Sequence, residues 1–170
     1  DNLIKGGAGP DFLFGVSGFD ILQGGNADDI YLQMYSEATI VETADGGMDF
    51  VYSTTEHTQL AENVEGAYLA AQAKTVTGND GDNWMRTFSE SGHVYRGAGG
   101  NDQLYGSVGA DTYLFARGDD RDVIEDQSTV AGAEDRLVFE GDIAHDQFWF
   151  SQVGQNLQID LIGSQDRVTV

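Results

Sequence analysis

The chain has no cysteine, a single proline, and only 8 lysines and arginines among 170 residues. Without cysteine there are no disulfide staples and no thiolate metal sites, and redox logic leaves the compartment open. Against those 8 bases stand 29 acids, for a formal charge of −21. That balance excludes a nucleic-acid or anionic-membrane surface as the default. It also predicts self-repulsion that counter-cations must relieve before the chain folds. No apolar run approaches the roughly 20 residues of a transmembrane helix, and no signal peptide opens the chain. Both ends look cut, since residues 1–2 read as the tail of a repeat and residues 167–170 stop inside a strand-like alternation. The chain is therefore expected to be a piece of something larger.

Hydrophobic residues make up 40%, too many for a disordered acidic tail. The organising stretch is residues 6–32, which reads GGAGPDFLF, GVSGFDILQ, GGNADDIYL: three nine-residue blocks in one register. Position six of each block is Asp11, Asp20 or Asp29, and position eight is Leu13, Leu22 or Tyr31. Upstream, Asn2 and Ile4 keep the same phase. Glycines early in the block permit positive φ and a tight turn. The three apolar or aromatic residues that follow suit a short strand whose middle side chain points inward. Each block is then half a coil, and residues eighteen apart stack on one edge: Asp11 with Asp29, and Asn2 with Asp20. A stack of carboxylates repels itself unless a cation lies between the rungs. Calcium suits that place, because it accepts six to eight oxygen ligands in loose geometry, backbone carbonyls included. A flexible linker has no reason to keep an apolar residue at every ninth position. A phosphate loop is excluded by the missing lysine and the acidic lining.

This nonapeptide resembles the RTX (repeats-in-toxin) calcium-binding β-roll of proteins secreted by type I systems, a known sequence signature of a calcium-binding parallel β-helix. The resemblance implies an all-β fold: a right-handed parallel β-roll in two repeat blocks, closed by a C-terminal antiparallel β-meander. It also implies several calcium ions, each between turns eighteen residues apart, with position-six carboxylates and turn carbonyls as ligands. Transferred to this chain, one site joins Gly6, Ala8 and Asp11 to Gly25, Ala27 and Asp29. A weaker site on the other edge joins Asn2 to Gly15, Ser17 and Asp20. In the second block, Gly97, Gly99 and Asp102 pair with Asp120 or Asp122, a choice the sequence leaves open. Gly106, Val108 and Asp111 form a further half-site with no assigned partner.

Four regions follow: a first calcium block over 1–32, a degenerate solenoid spacer over 33–96, a second block over 97–126, and a capping region over 127–170. In the spacer, Asp49 ends a further glycine turn. Residues 60–69 resemble a spacer between RTX blocks; their alanines and glutamates also suit a helix, but Gly66 and the neighbouring turns favour strands. At residues 78–83 the repeat returns with Asn83 in the aspartate's place, a turn-capping side chain without full charge, and the rung is expected to bind no ion tightly. His93 stands at or beside the ligand position of the next, equally degenerate rung. Met85, Val94, Leu104 and Tyr113 are the expected inward residues. Phe148 and Phe150, then Leu157, Ile159 and Leu161, then Val168 and Val170 alternate with polar residues as a half-buried meander. Residues 146–170 resemble the module that closes RTX blocks in haemolysins and the adenylate cyclase toxin. Such a cap covers strand edges that otherwise invite aggregation.

No catalytic constellation emerges, so the chain is not expected to be an enzyme. His57, His93 and His145 are far apart without paired-ligand spacing, and read as surface or turn residues. Ser17 sits in a motif that fails GxSxG at its last position. Trp84 and Trp149 could stack on a sugar but suit a core equally. The resemblance implies a secreted, extracellular or cell-surface module that folds on calcium and supports secretion and folding of a larger toxin through the type I apparatus. The alternatives are an adhesin or surface-layer module with a host receptor or glycan as partner, and the auxiliary domain of an extracellular protease, lipase or epimerase.

Overall fold

The computed structural model describes residues 1–16, 18–34, 38–70, 72–127 and 132–170. The strands are short because each coil turns after a few extended residues. The first block gives β1 (Leu3–Ala8), β2 (Phe12–Phe14), β3 (Ile21–Asn26) and β4 (Ile30–Gln33). The middle gives β5 (Thr39–Val41), β6 (Phe50–Ser53), β7 (His57–Gln59), β8 (Gly66–Leu69), β9 (Thr75–Thr77) and β10 (Trp84–Thr87). Then come β11 (Val94–Arg96), β12 (Gln103–Tyr105), β13 (Thr112–Phe115), β14 (Arg121–Glu125) and β15 (Arg136–Phe139). Three strands end the chain: β16 (Phe148–Val153), β17 (Asn156–Leu161) and β18 (Arg167–Thr169). No α-helix occurs among the described residues, and the spacer at 60–69 is a turn leading into β8.

Alternate strands stack in parallel. Odd-numbered strands build one side as β1-β3-β5 and β7-β9-β11-β13-β15, and even-numbered strands from β2 to β14 build the other. The result is a parallel β-solenoid of about seven turns. In the first block Leu3 lies beside Ile21 and Phe12 beside Ile30, the eighteen-residue step that two nonapeptides dictate. Later steps vary: Ile30 pairs with Phe50, Phe50 with Gly66, and Gln103 with Val123. The coil tolerates this because the extra or missing residues fall in turns, leaving the strand pairing intact.

Most strands from β2 to β14 send one apolar side chain into the coil. Leu13, Leu22, Tyr31, Val51, Ala67, Val76, Met85, Tyr95, Leu104, Tyr113 and Ile124 form one continuous buried column. Each fully buried large side chain contributes about 1.5–3 kcal/mol. One inward position differs from expectation: Tyr95 is buried, while Val94 is only half-buried. The turn before β11 carries one extra residue, so Thr75 pairs with Val94 at a step of nineteen and the inward phase moves on by one.

The far end is closed by the meander. β16, β17 and β18 pair antiparallel, and β18 lies parallel to the open edge of β14, with Arg121 opposite Arg167. This satisfies backbone groups that would otherwise be a free edge. Ile159, Leu161 and Val168 are buried as expected, but Phe150, Leu157 and Val170 are exposed. A chain of rings, Phe115 to Phe139 at 5.8 Å and Phe139 to Phe148 at 4.6 Å, ties the last odd strands to the meander.

Candidate metal centre

The residues just before the even-numbered strands β2 to β12, continued by Asp122 inside β14, form a ladder along one edge of the solenoid. The backbone N–H of Asp11 donates to Asp29 Oδ1 at 2.7 Å, that of Asp29 to Asp49 Oδ1 at 2.7 Å, and that of Asp49 to Glu65 Oε2 at 2.7 Å. Farther along, Asn83 N–H donates to Asp102 Oδ1 at 2.7 Å and Asp102 N–H to Asp122 Oδ1 at 3.0 Å. The other edge repeats the device. Asn2 donates to Asp20 Oδ1 at 2.8 Å, His93 to Asp111 Oδ1 at 2.7 Å, and Asp111 to Asp135 Oδ1 at 3.0 Å. Coil stacking places each carboxylate over the next turn, so the spacing of the sequence becomes a column of acid.

Each ladder bond uses one oxygen. The second oxygens of Asp20, Asp29, Asp49, Asp102, Asp122 and Asp166 are buried without a hydrogen-bond partner. A buried polar group left unpaired costs roughly 1–3 kcal/mol, and more when charged. Burial first, and then the neighbouring acids, push the Asp29 carboxyl up and raise Asp49 to about 6. Burial also raises Asp102 and Asp122, and the charge of Asp102 adds to the rise at Asp122.

Glycine at position one keeps the space beside these oxygens open. A Cβ on Gly6 would lie against Asp11 Oδ2 and 2.8 Å from Gly24 O. On Gly97 it would lie against Asp102 Oδ2 and 3.0 Å from Asp122 Oδ2. Orphaned carboxylate oxygens facing glycine turns form a donor set that fits a hard, oxygen-seeking cation such as calcium.

The sequence-derived candidates fall in these turns. Gly6 and Ala8 sit at the end of β1, and Gly25 at the end of β3, with Ala27 in the turn that follows. Gly15 precedes Asp20, Gly97 and Gly99 precede Asp102, and Gly106 and Val108 precede Asp111. Ser17 lies outside the described residues. Between Asp120 and Asp122, burial distinguishes the pair. Asp122 is 1% exposed and takes the Asp102 N–H, whereas Asp120 is exposed at φ 58° and accepts Arg167 N–H through its carbonyl. The carboxylate stacked on Asp111 is Asp135, twenty-four residues on, because the turn before β15 is long.

Elsewhere the edges differ in kind. Asn83 satisfies itself: its Oδ1 accepts Asn79 N–H at 2.7 Å, and its amide donates to Val64 O at 3.2 Å and Asn79 Oδ1 at 3.0 Å. On the other edge Lys74 pairs with Glu56, a lysine ammonium standing one turn from the acid and holding its carboxyl below the usual range. His93, expected at a surface or turn, is buried in the ladder with Nδ1 at 3.4 Å from Asp111 Oδ1. Trp84 packs in an aromatic row with Phe50, Tyr68 and Tyr105 on the outer face of the even strands, while Trp149 is exposed.

Sequence reasoning named no ligand role for Glu42, Asp49, Glu65, Asp126 or Asp135. Asp49 and Asp135 each precede a strand-like run, which was the available signal. Glu42 and Asp126 follow strands β5 and β14 and take hydroxyl hydrogen bonds from inward Tyr31 and Tyr113. Nothing in a nine-residue period marks them.

These features define a cation-binding β-solenoid. The model of the RTX calcium-binding nonapeptide repeat matches the chain in four copies over residues 1–32 and 94–122. With the solenoid fold, that match is consistent with an RTX β-roll, and the matched repeats imply calcium binding at multiple sites. No curated protein matches the chain. No helix among the described residues is long and apolar enough to cross a membrane.

Proposed function

We propose that the chain is a non-catalytic calcium-binding module of a secreted bacterial protein, folding on calcium outside the cell and supporting secretion and folding of a larger toxin. The observation that carries this reading is the set of buried, unpartnered carboxylate oxygens along both edges of the coil. In the first block, Gly6, Ala8 and Asp11 hold an ion with Gly25, Ala27 and Asp29, while Asp20 serves the other edge with Gly15, Ser17 and Asn2. In the second block, Gly97, Gly99 and Asp102 act with Asp122, and Gly106, Val108 and Asp111 act with Asp135. Bound calcium supplies positive charge between facing carboxylates.

The chain's own part is to keep those acids in register, which the ladder bonds and the buried column do. In a calcium-poor interior the acids repel and the coil stays open; in millimolar calcium the folded state alone offers the sites. Ligand that binds only the folded state stabilises it by mass action, and folding outside favours outward passage through a type I apparatus.

Calcium and magnesium titrations of the same chelated protein test the site geometry. Magnesium demands near-octahedral ligation and gives up water reluctantly. Calcium is expected to fold the chain at concentrations where magnesium does not. Equal folding by both ions at equal concentration contradicts the proposed carbonyl-rich sites.

A further inference from the structure

We infer that Asp29, Glu42 and Asp49 form a three-carboxylate calcium site that extends the ion array beyond the nonapeptide repeats. The inference rests on the reading of the chain as a calcium-binding roll, but names a site reaching outside the stretch that matches the repeat, which ends at residue 32 before resuming at 94.

The three acids come from different parts of the coil. Asp29 and Asp49 immediately precede β4 and β6, in the even-numbered sheet, whereas Glu42 follows β5 in the odd-numbered one. One oxygen from each lies within 4.8 Å of the others, and all three residues are buried. Asp29 Oδ2 and Asp49 Oδ2 are each on a residue 0% exposed and have no hydrogen-bond partner. Among the described residues, no lysine or arginine makes an ion pair with any of the three.

Glu42 is held in place independently of the aspartates. Its Oε1 accepts hydrogen bonds from the Tyr31 hydroxyl and from Gly25 N–H at 3.3 Å, and its Oε2 accepts Thr43 N–H at 3.0 Å. The Tyr31 hydroxyl in turn accepts Gly24 N–H at 2.8 Å, so the phenol oxygen is pinned from two sides. Two glycines open the space between the acids. A Cβ on Gly24 would meet Asp29 Oδ2, Glu42 Oε1 and Tyr31 Oη, and one on Gly46 would lie 2.6 Å from Glu42 Oε2 and 3.1 Å from Asp49 Oδ2.

The turn that brings Asp49 over Asp29 is two residues longer than the repeat, since Ile30 pairs with Phe50 rather than at the eighteen-residue step. That insertion ends the nonapeptide period in sequence while the carboxylate column continues in space. Three oxygens from carboxylates, two of them unpartnered, select a hard divalent cation, and the loose arrangement suits calcium. Tyr31 acts as the positioning residue that aims Glu42 at the aspartates.

Native mass spectrometry of the whole chain at saturating calcium counts the ions, with calorimetric titration giving affinities. Glu42→Gln is expected to bind one ion fewer than the wild type, and Asn83→Ala, in the self-satisfied rung, the wild-type number. Tyr31→Phe keeps every carboxylate and is expected to bind the full number, one of them about 10–100-fold more weakly, as when other outer partners of a ligand are removed. A wild-type count in Glu42→Gln, or unchanged affinities in Tyr31→Phe, overturns the site while leaving the roll a calcium module. A wild type that binds no calcium overturns the broader reading as well.

Discussion

In millimolar calcium, Asp122→Asn is expected to destabilise the roll, and in chelator the same substitution is expected to stabilise it. Asparagine keeps an oxygen to accept the Asp102 N–H, which lies 3.0 Å from Asp122 Oδ1. What it removes is a charge on a residue 1% exposed, with an unpartnered second oxygen. A site filled at a hundred times its dissociation constant contributes about 2.7 kcal/mol to the folded state, and losing it should lower the calcium-loaded melting temperature by about 5–10 °C for a chain of this size. Without calcium, burial and mutual repulsion oppose the ionisation of Asp102 and Asp122 together, and an asparagine at 122 removes that cost. Melting curves of both proteins in calcium, and the folded fraction of each by circular dichroism in chelator, read the sign directly. Destabilisation in both arms reduces Asp122 to a hydrogen-bond acceptor and removes its role as a ligand.

The second large effect is an inverted pH dependence. Asp29, Asp49, Asp102 and Asp122 all have carboxyls raised by burial, Asp49 to about 6. The calcium-free folded state therefore holds protons that the unfolded chain releases near pH 4. Where the folded state binds more protons, stability falls as pH rises. The chelated roll should be most stable near pH 4 and lose stability as pH climbs through about 6, with the full penalty present above the raised values. Every tenfold gain in a carboxyl's proton affinity on folding corresponds to about 1.4 kcal/mol. In calcium the slope over the same window should reverse, because ligation requires ionised carboxylates. Denaturant midpoints in calcium, and the folded fraction in chelator, followed across this range give the two slopes. A chelated protein that gains stability from pH 4 to pH 8 contradicts the buried-carboxylate account.

The sequence made the coil legible wherever its period held. Leu13, Leu22 and Tyr31 could be placed inward and Asp11 above Asp29 from spacing alone, because two nonapeptides close one turn. Legibility failed where turns change length. Asp135 lies twenty-four residues beyond Asp111, and the phase shift before β11 moved the inward position from Val94 to Tyr95. Parallel pairing restores the register after each insertion, and that restoration depends on contacts distant in sequence. Asp120 and Asp122 differ in burial, which no local pattern encodes. Glu42 was hidden for a different reason. It reaches the column from the end of the opposite sheet, so its partnership with Asp29 and Asp49 exists only in three dimensions.

The claim beneath all of this is that a column of buried, unpartnered carboxylates cannot stand at neutral pH without divalent cation. Far-UV circular dichroism of the 170-residue chain at neutral pH, first in chelator and then with millimolar calcium, tests it most directly. The expected result is a largely unstructured spectrum in chelator that converts to β-structure when calcium is added and reverts when it is removed. A β spectrum already complete in chelator, unchanged by calcium, would contradict the account.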